Sequence, residues 1–471
     1  MRYISTRGEA PPLGFVEATL AGLARDGGLY VPESWPVFGL EQIAALAGKP
    51  YAEAAVEIIR PFTGGMVADA DLSRMAREAY GAFRHAAVAP LVQIGSNCFV
   101  LELFHGPTLA FKDLAMQFLA RLMDRALEDR GDRATIVVAT SGDTGGAAVE
   151  AFRSCSRVDL VTLFPQGRVS DVQRRMITTV TDDNVHAIAI EGTFDDCQAI
   201  VKGLFNHHDF RDRVRLSGVN SINWARIVAQ VVYYFTAAVA LGAPHRKVAF
   251  TVPTGNFGDV FAGYVAMRMG LPIDRLIVAT NVNDILARTI ATGNYEVRDV
   301  VATSSPSMDI QVSSNFERLL FDAYERDSHA VRALMGSLAQ SQRFSIAAPA
   351  LTKIRDSFSA AHADEEETAA TIRTMRKEAG YLADPHTAVA LAVAEKEQPD
   401  PNVPMVVLST AHPAKFPDAV EAACGVRPAL PDWLADLPAR AERVTVLPAD
   451  QAKVEHFILA ASRAAQVGAV A

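Results

Sequence analysis

Unbroken apolar runs recur along most of this chain, and each is separated from the next by a helical pattern. The runs fall at 98–104, 135–139, 160–164, 186–190, 248–252, 276–279 and 406–408. Amphipathic or apolar helical stretches stand at 114–127, 144–152, 169–179, 195–205, 224–241 and 260–269. A strand with water on one face alternates apolar and polar residues, whereas a strand covered on both faces reads as a continuous run. Regular alternation of such strands with helices predicts parallel sheets with helices on both faces. The first ninety residues read differently. They carry short helical patterns broken by Gly and Pro, with small strand pieces near Tyr3-Ile4 and Leu29-Tyr30-Val31.

Length and composition narrow the class. At roughly 150 residues per domain, 471 residues allow about three. The chain is 50% hydrophobic and 21% charged, the balance of a globular protein. Its net charge of −9 argues against a duplex partner, which needs a basic face. No nucleic-acid partner is expected. The most membrane-like window, 227–243, contains Gln230, Tyr233, Tyr234 and Thr236, and predicts a buried core helix instead. Met1 to Gly8 lacks an apolar stretch of the secretory kind, so no signal is expected. Cys98, Cys155, Cys197 and Cys424 form no CxxC pair, which predicts a reduced cytoplasmic chain with no metal site. The expected division is a mostly helical region over 1–90, a first α/β lobe over 91–243 and a second over 244–471 with a C-terminal helical tail.

Four loops follow four of the predicted strands, the position where doubly wound sheets bind ligands. In His105-Gly106-Pro107-Thr108-Leu109-Ala110-Phe111-Lys112-Asp113, Lys112 opens a helix, at the positive end of the helix dipole. Such a lysine has a reason to lose its proton and form a Schiff base. Read alone, it is better explained as a solvated lysine with Asp113 as local partner. Ser141-Gly142-Asp143-Thr144-Gly145-Gly146 joins a strand to a helix N-terminus and offers amides and hydroxyls to an anion, although an N-cap would use the same residues. Pro253-Thr254-Gly255-Asn256-Phe257-Gly258-Asp259 has the shape of a phosphate cup but is neither Walker A nor GxGxxG. Ser409-Thr410-Ala411-His412-Pro413-Ala414-Lys415-Phe416 puts a hydroxyl at a strand end. Together, a Schiff-base lysine, two anion cradles and a buried hydroxyl suit an aldehyde cofactor that carries a phosphate, pyridoxal phosphate (PLP).

The same segments carry a family resemblance. HGPTLAFKD, SGDTGG, PTGNFGD and STAHPAKF stand in order with YISTRG, DGGLYVPE, SINWAR, SSNFER and DPHTA. The chain resembles the threonine synthase family, in its bacterial and fungal branch. The resemblance implies PLP-dependent fold type II, the tryptophan synthase β-like fold, with two parallel-sheet α/β lobes beside an N-terminal mostly helical region. It implies that Lys112 holds PLP, with Phe111 beside it. Gly255, Asn256, Phe257 and Gly258 wrap the cofactor phosphate, and Thr410 faces the pyridine nitrogen. Ser141, Gly142, Asp143 and Thr144 take the substrate carboxylate. Many members of the wider fold have Asn where Asp143 stands.

The implied reaction turns O-phospho-L-homoserine and water into L-threonine and phosphate, with Lys112 as base at Cα and Cβ. Candidate groups for the substrate phosphate are Thr108, Ser313, Asn315, Arg318 and Lys415. Ser313 and Ser314 are explained equally well as an N-cap pair. His386 and His412 are read as hydrogen-bonded structural residues. The alternative function is a related PLP-dependent phospho-lyase or hydroxy-amino-acid dehydratase, and a non-catalytic binding protein would have lost Lys112. The expected assembly is a monomer or weak homodimer, with no membrane partner.

Overall fold

The computed structural model describes residues 1–397 and 400–467. Among them, six strands form one sheet in the spatial order Phe358–His362, Ile273–Thr280, Val248–Pro253, Met405–Ser409, Cys98–Glu102 and Leu91–Gln93. All neighbours run parallel except the last pair, an antiparallel hairpin. Five strands form a second, wholly parallel sheet in the order Thr445–Pro448, Val185–Glu191, Val158–Pro165, Ala134–Ala139 and Leu216–Ser217. The apolar runs became interior strands, as continuous hydrophobicity predicts: Val158–Pro165 is buried at every position.

The expected lobe boundaries do not follow the sheets, and this is a correction. Leu91–Gln93 and Cys98–Glu102 were assigned to a first lobe over 91–243, yet they extend the sheet of the second. Thr445–Pro448, placed in a C-terminal tail, closes the edge of the first lobe's sheet on Val185–Glu191. Pairing between distant segments leaves no local pattern to read. Phe358–His362 was not foreseen either. It is an edge strand with one partner, and its sequence FSAAH needs no unbroken apolar run.

The 227–243 window is a core helix. Helix Trp224–Ala240 is buried along nearly its whole length and packs on helices Tyr51–Thr63, Lys112–Asp129 and Gly258–Arg268. No helix among the described residues is long and apolar enough to cross a membrane. The N-terminal region is tied to this core. Tyr3–Ser5 pairs antiparallel with Tyr30–Pro32, and the buried Tyr3 hydroxyl donates to the Phe62 carbonyl at 2.7 Å. Its ring stands 5.9 Å from that of Trp224.

Candidate active site

Parallel strands deliver their carboxyl ends to one side, so the loops after Glu102, Pro253 and Ser409 leave neighbouring strands of one sheet together. Two are stitched by backbone bonds. Phe111 N–H donates to the Thr410 carbonyl at 2.8 Å, and His412 N–H to the Leu109 carbonyl at 3.0 Å. Lys112 follows at once as the first residue of helix Lys112–Asp129. Its ammonium lies 4.9 Å from the centre of the Phe111 ring. Burial pushes the Lys112 pKa below that of a free lysine; Asp143 opposes the shift, while Lys415 and Arg226 add to it. The shift is in the direction that makes a lysine amine more readily available as a nucleophile.

Asp143 is the hub of the site. Its Oδ2 lies 3.4 Å from Lys112 Nζ and accepts from Ser307 Oγ at 3.4 Å. Its Oδ1 lies 2.6 Å from Lys415 Nζ and accepts from Gln173 Nε2 at 2.9 Å. Burial alone would raise its pKa, but the Lys415 and Lys112 charges outweigh burial and hold it well below the usual carboxylate range. Asp143 was expected to meet the substrate; its carboxylate instead faces these protein groups. Lys415 is wholly buried and donates its other bond to the Thr108 carbonyl at 2.8 Å.

Both strand-to-helix turns expected to hold anions form at helix N-termini. Helix Asp143–Phe152 starts after Gly142, whose φ of +143° suits glycine. Thr140 Oγ1 accepts from Gly142 N–H and Gly145 N–H, each at 2.9 Å. The Asp143 and Thr144 amides remain as first-turn donors, beside an exposed Ser141 and a half-buried Thr144. In the second cradle Phe257 is left-handed at φ +62° and opens helix Gly258–Arg268. The turn makes the concave run of amides that binds anions. Gly255 lies so close to Ser307 that an added Cβ would stand 2.5 Å from its carbonyl oxygen.

Four expected phosphate ligands are corrected. Thr108 gives its hydroxyl to Asp113 Oδ1 at 2.6 Å and its amide to Oδ2 at 2.7 Å. Ser313 gives its hydroxyl to the Gly255 carbonyl at 2.8 Å. Asn315 donates to the carbonyls of Ser221 at 3.2 Å and Asn256 at 2.9 Å. The wholly buried Arg318 donates to Tyr30 O at 3.0 Å, to Ile222 O at 2.6 Å and to Asn315 Oδ1. Ser313, Asn315 and Arg318 brace the Gly255–Gly258 turn against the 220–222 segment, and all four side chains are engaged within the protein.

Sequence reading missed several groups. Arg226, the last residue of SINWAR, is a buried cation close enough to lower the Lys112 pKa. One of its nitrogens donates to Val219 O at 3.1 Å, and its Nε has no partner among the described residues. Ser307 lies in an irregular segment without periodicity; its amide donates to His386 Nε2 at 3.2 Å. His386 Nδ1 bonds the buried Asp384 at 2.7 Å, which fixes the tautomer with the proton on Nδ1. Asp259 is buried, accepts from Tyr233 at 2.6 Å and Tyr234 at 2.8 Å, and leaves Oδ2 unpartnered. Burial raises its pKa to about 6 against those two bonds. His412 is buried as well, at 5.2 Å from the Phe104 ring, and burial lowers its pKa to about 4.

These residues fit PLP. A phosphate has the amides of the Gly255–Gly258 turn, with no Cβ to fill the turn at Gly255. An aldehyde has the partly desolvated Lys112 amine. A pyridine nitrogen has the Thr410 hydroxyl, which takes no protein partner among the described residues while its carbonyl is fixed by Phe111.

Comparison with known proteins agrees with this chemistry. Residues 85–410 match the family of pyridoxal-phosphate dependent enzymes, 2–80 match the threonine synthase N terminus, and 387–458 match the threonine synthase C-terminal family. A threonine synthase of Pseudomonas aeruginosa is 55% identical over 97% of this chain and 98% of its own. The crystal structure of a PLP-bound threonine synthase from Brucella melitensis superposes with a TM-score of 0.96 at 63% identity, covering 98% of this chain and 100% of that one. Yeast threonine synthase superposes with a TM-score of 0.93 at 37% identity, covering 98% of each chain. With the two-sheet fold, the lysine, the phosphate turn and full-length similarity in agreement, the chain belongs to the threonine synthase family of PLP-dependent, fold type II enzymes.

Proposed function

We propose that this enzyme converts O-phospho-L-homoserine and water to L-threonine and inorganic phosphate, with Lys112 as the base. The carrying observation is the desolvated Lys112 amine 3.4 Å from Asp143, between two anion cradles. PLP, when bound, supplies an electron sink that lets protons leave carbon.

The protein's own residues supply the rest. The Asp143 helix N-terminus, with Ser141 and Thr144, holds the substrate carboxylate. Lys112, whose pKa burial lowers, moves the protons at Cα and Cβ. Phosphate leaves from Cγ, and the hydroxyl of water arrives at Cβ. Gly255, Asn256, Phe257 and Gly258 hold the cofactor phosphate through their amides, and Thr410 faces the ring nitrogen. The substrate phosphate goes to Arg226, a buried guanidinium with an unused Nε. Its charge is felt at Lys112, whose pKa it helps to lower, so the guanidinium stands near the reacting amine. This reading also places the enzyme in the cytoplasm as a monomer or weak homodimer.

The test is direct. Purified protein with PLP and O-phospho-L-homoserine is expected to release threonine and phosphate in equal amounts. Lys112→Ala should release neither and trap no cofactor on borohydride treatment. A keto acid and ammonia in place of threonine would establish the phospho-lyase or dehydratase alternative. Threonine formation by Lys112→Ala would overturn the role of that lysine.

A further inference from the structure

Asp143 is shared by two lysines that arrive on separate segments. Lys112 opens a helix after the strand Cys98–Glu102, and Lys415 ends a single 3-10 turn after the strand Met405–Ser409. Lys415 Nζ stands 2.6 Å from Asp143 Oδ1, and Lys112 Nζ stands 3.4 Å from Oδ2. The shorter contact belongs to Lys415, expected from the sequence as a candidate for the substrate phosphate. Lys415 is wholly buried, and its second bond goes to the Thr108 carbonyl at 2.8 Å.

The arrangement answers an electrostatic difficulty. Lys112 must be free of a proton to act as a base. An uncompensated carboxylate within about 4–6 Å would favour its protonated form by roughly 1–3 pKa units. A carboxylate already paired with a buried ammonium is neutral as a unit and exerts far less of that pull. It still accepts a hydrogen bond.

We propose that Lys415 is a positioning residue for the reaction: it neutralises Asp143 from the far side, so that Asp143 aims the Lys112 amine without holding a proton on it. This rests on the reading of Lys112 as the base. The other charged groups that face the cluster are Arg226 at the start of helix Trp224–Ala240 and Asp259 on helix Gly258–Arg268. Asp113 beside Lys112 and Glu150 on Asp143's own helix complete the set. All four are retained in the variants below, so a difference between variants reports on Lys415 and Asp143. Gln173 and Ser307 touch Asp143 but are uncharged.

Lys415→Met is tested in two ways. In the PLP-loaded enzyme, the acid limb of the kcat profile, which reports the enzyme–substrate complex, should move to higher pH by about 1–3 units. In cofactor-free protein, the pH at which Lys112 is half-labelled by trinitrobenzenesulfonate, read by peptide mass, should move the same way. An unchanged limb with an unchanged labelling midpoint overturns the proposal. Lys415→Met combined with Asp143→Asn removes both charges and should return the Lys112 labelling midpoint to that of the parent. A midpoint displaced as far as in the single variant, or displaced downward, overturns the proposal. Should the single variant fail to fold, Asp143→Asn decides: with Lys415 left uncompensated the Lys112 midpoint should move to lower pH, and an unchanged midpoint overturns the proposal. If the parent enzyme makes no threonine, the proposed function fails, while the labelling midpoint still reports whether Lys415 shields Lys112.

Discussion

The amide of Phe111 donates to the carbonyl of Thr410 at 2.8 Å, which joins the residue before the reactive lysine to the hydroxyl residue at the end of a central strand. The bond leaves the Thr410 side chain free and sets its distance from Lys112 through two backbones. A tilt of either loop would misplace both groups together.

The proposed place of Thr410 at the cofactor ring nitrogen is tested by replacing it. Thr410→Asp offers a carboxylate where a hydroxyl stood, and the bound cofactor's absorbance should shift as the ring nitrogen becomes more protonated. Turnover should fall by about tenfold or more, the scale of a charge-assisted hydrogen bond of about 1.5–3 kcal/mol. Unchanged spectra and kinetics would remove Thr410 from that position.

Gly255→Ala places a methyl 2.5 Å from the Ser307 carbonyl oxygen, so the turn or the Ser307 segment must move. Overpacking of this kind costs about 1–3 kcal/mol. PLP affinity, measured by absorbance titration, should weaken by roughly tenfold or more. Gly48→Ala serves as the control, because no atom lies within 4 Å of its added Cβ. Its φ of +73° makes some loss of stability acceptable, but cofactor affinity should hold.

Arg226→Gln tests the substrate phosphate. Truncating one partner of a buried charge pair costs about 2–5 kcal/mol, so KM for the phosphorylated substrate should rise by roughly thirtyfold or more. Inorganic phosphate should inhibit the variant less than the parent. Equal inhibition of the two would assign the phosphate elsewhere.

The strands and their loops were legible because burial on both faces writes an unbroken apolar run, and a ligand turn follows it with Gly and hydroxyl residues. Lys112 stood out because it sits at the wrong end of a helix dipole. Arg318 misled because its helix, Phe316–Ala323, has the look of an exposed one, while that face packs on the 220–222 segment. The Lys415–Asp143 pair and the Ser307–His386 bond join segments far apart in sequence, so neither partner carries a local mark of the other.

Asp259 gives a pH prediction. Its folded pKa is raised to about 6, above the 3.8 of a free carboxyl. The sign is that of a group which the fold prefers protonated. Its favourable contribution is full below the unfolded pKa and is lost as pH rises through about 6. Asp259→Asn keeps an acceptor for Tyr233 and Tyr234 and carries no charge. Relative to the parent, this variant should gain stability between about pH 4 and pH 7, by an amount on the order of 3 kcal/mol. Denaturant unfolding at pH 5 and pH 8 should show about half of that gain; a stability difference independent of pH would contradict the assignment.

The strand Met405–Ser409 lies between Val248–Pro253 and Cys98–Glu102, and Thr445–Pro448 borders the other sheet. On the ribosome, a chain that has not yet reached residue 405 holds one sheet in two halves with open hydrogen-bonding edges. Such edges invite pairing with the wrong neighbour. Translation must pass residue 410, about three hundred residues beyond Lys112, before Lys112 and Thr410 can meet. Premature termination anywhere upstream yields a fragment without a site and with an adhesive gap at its centre.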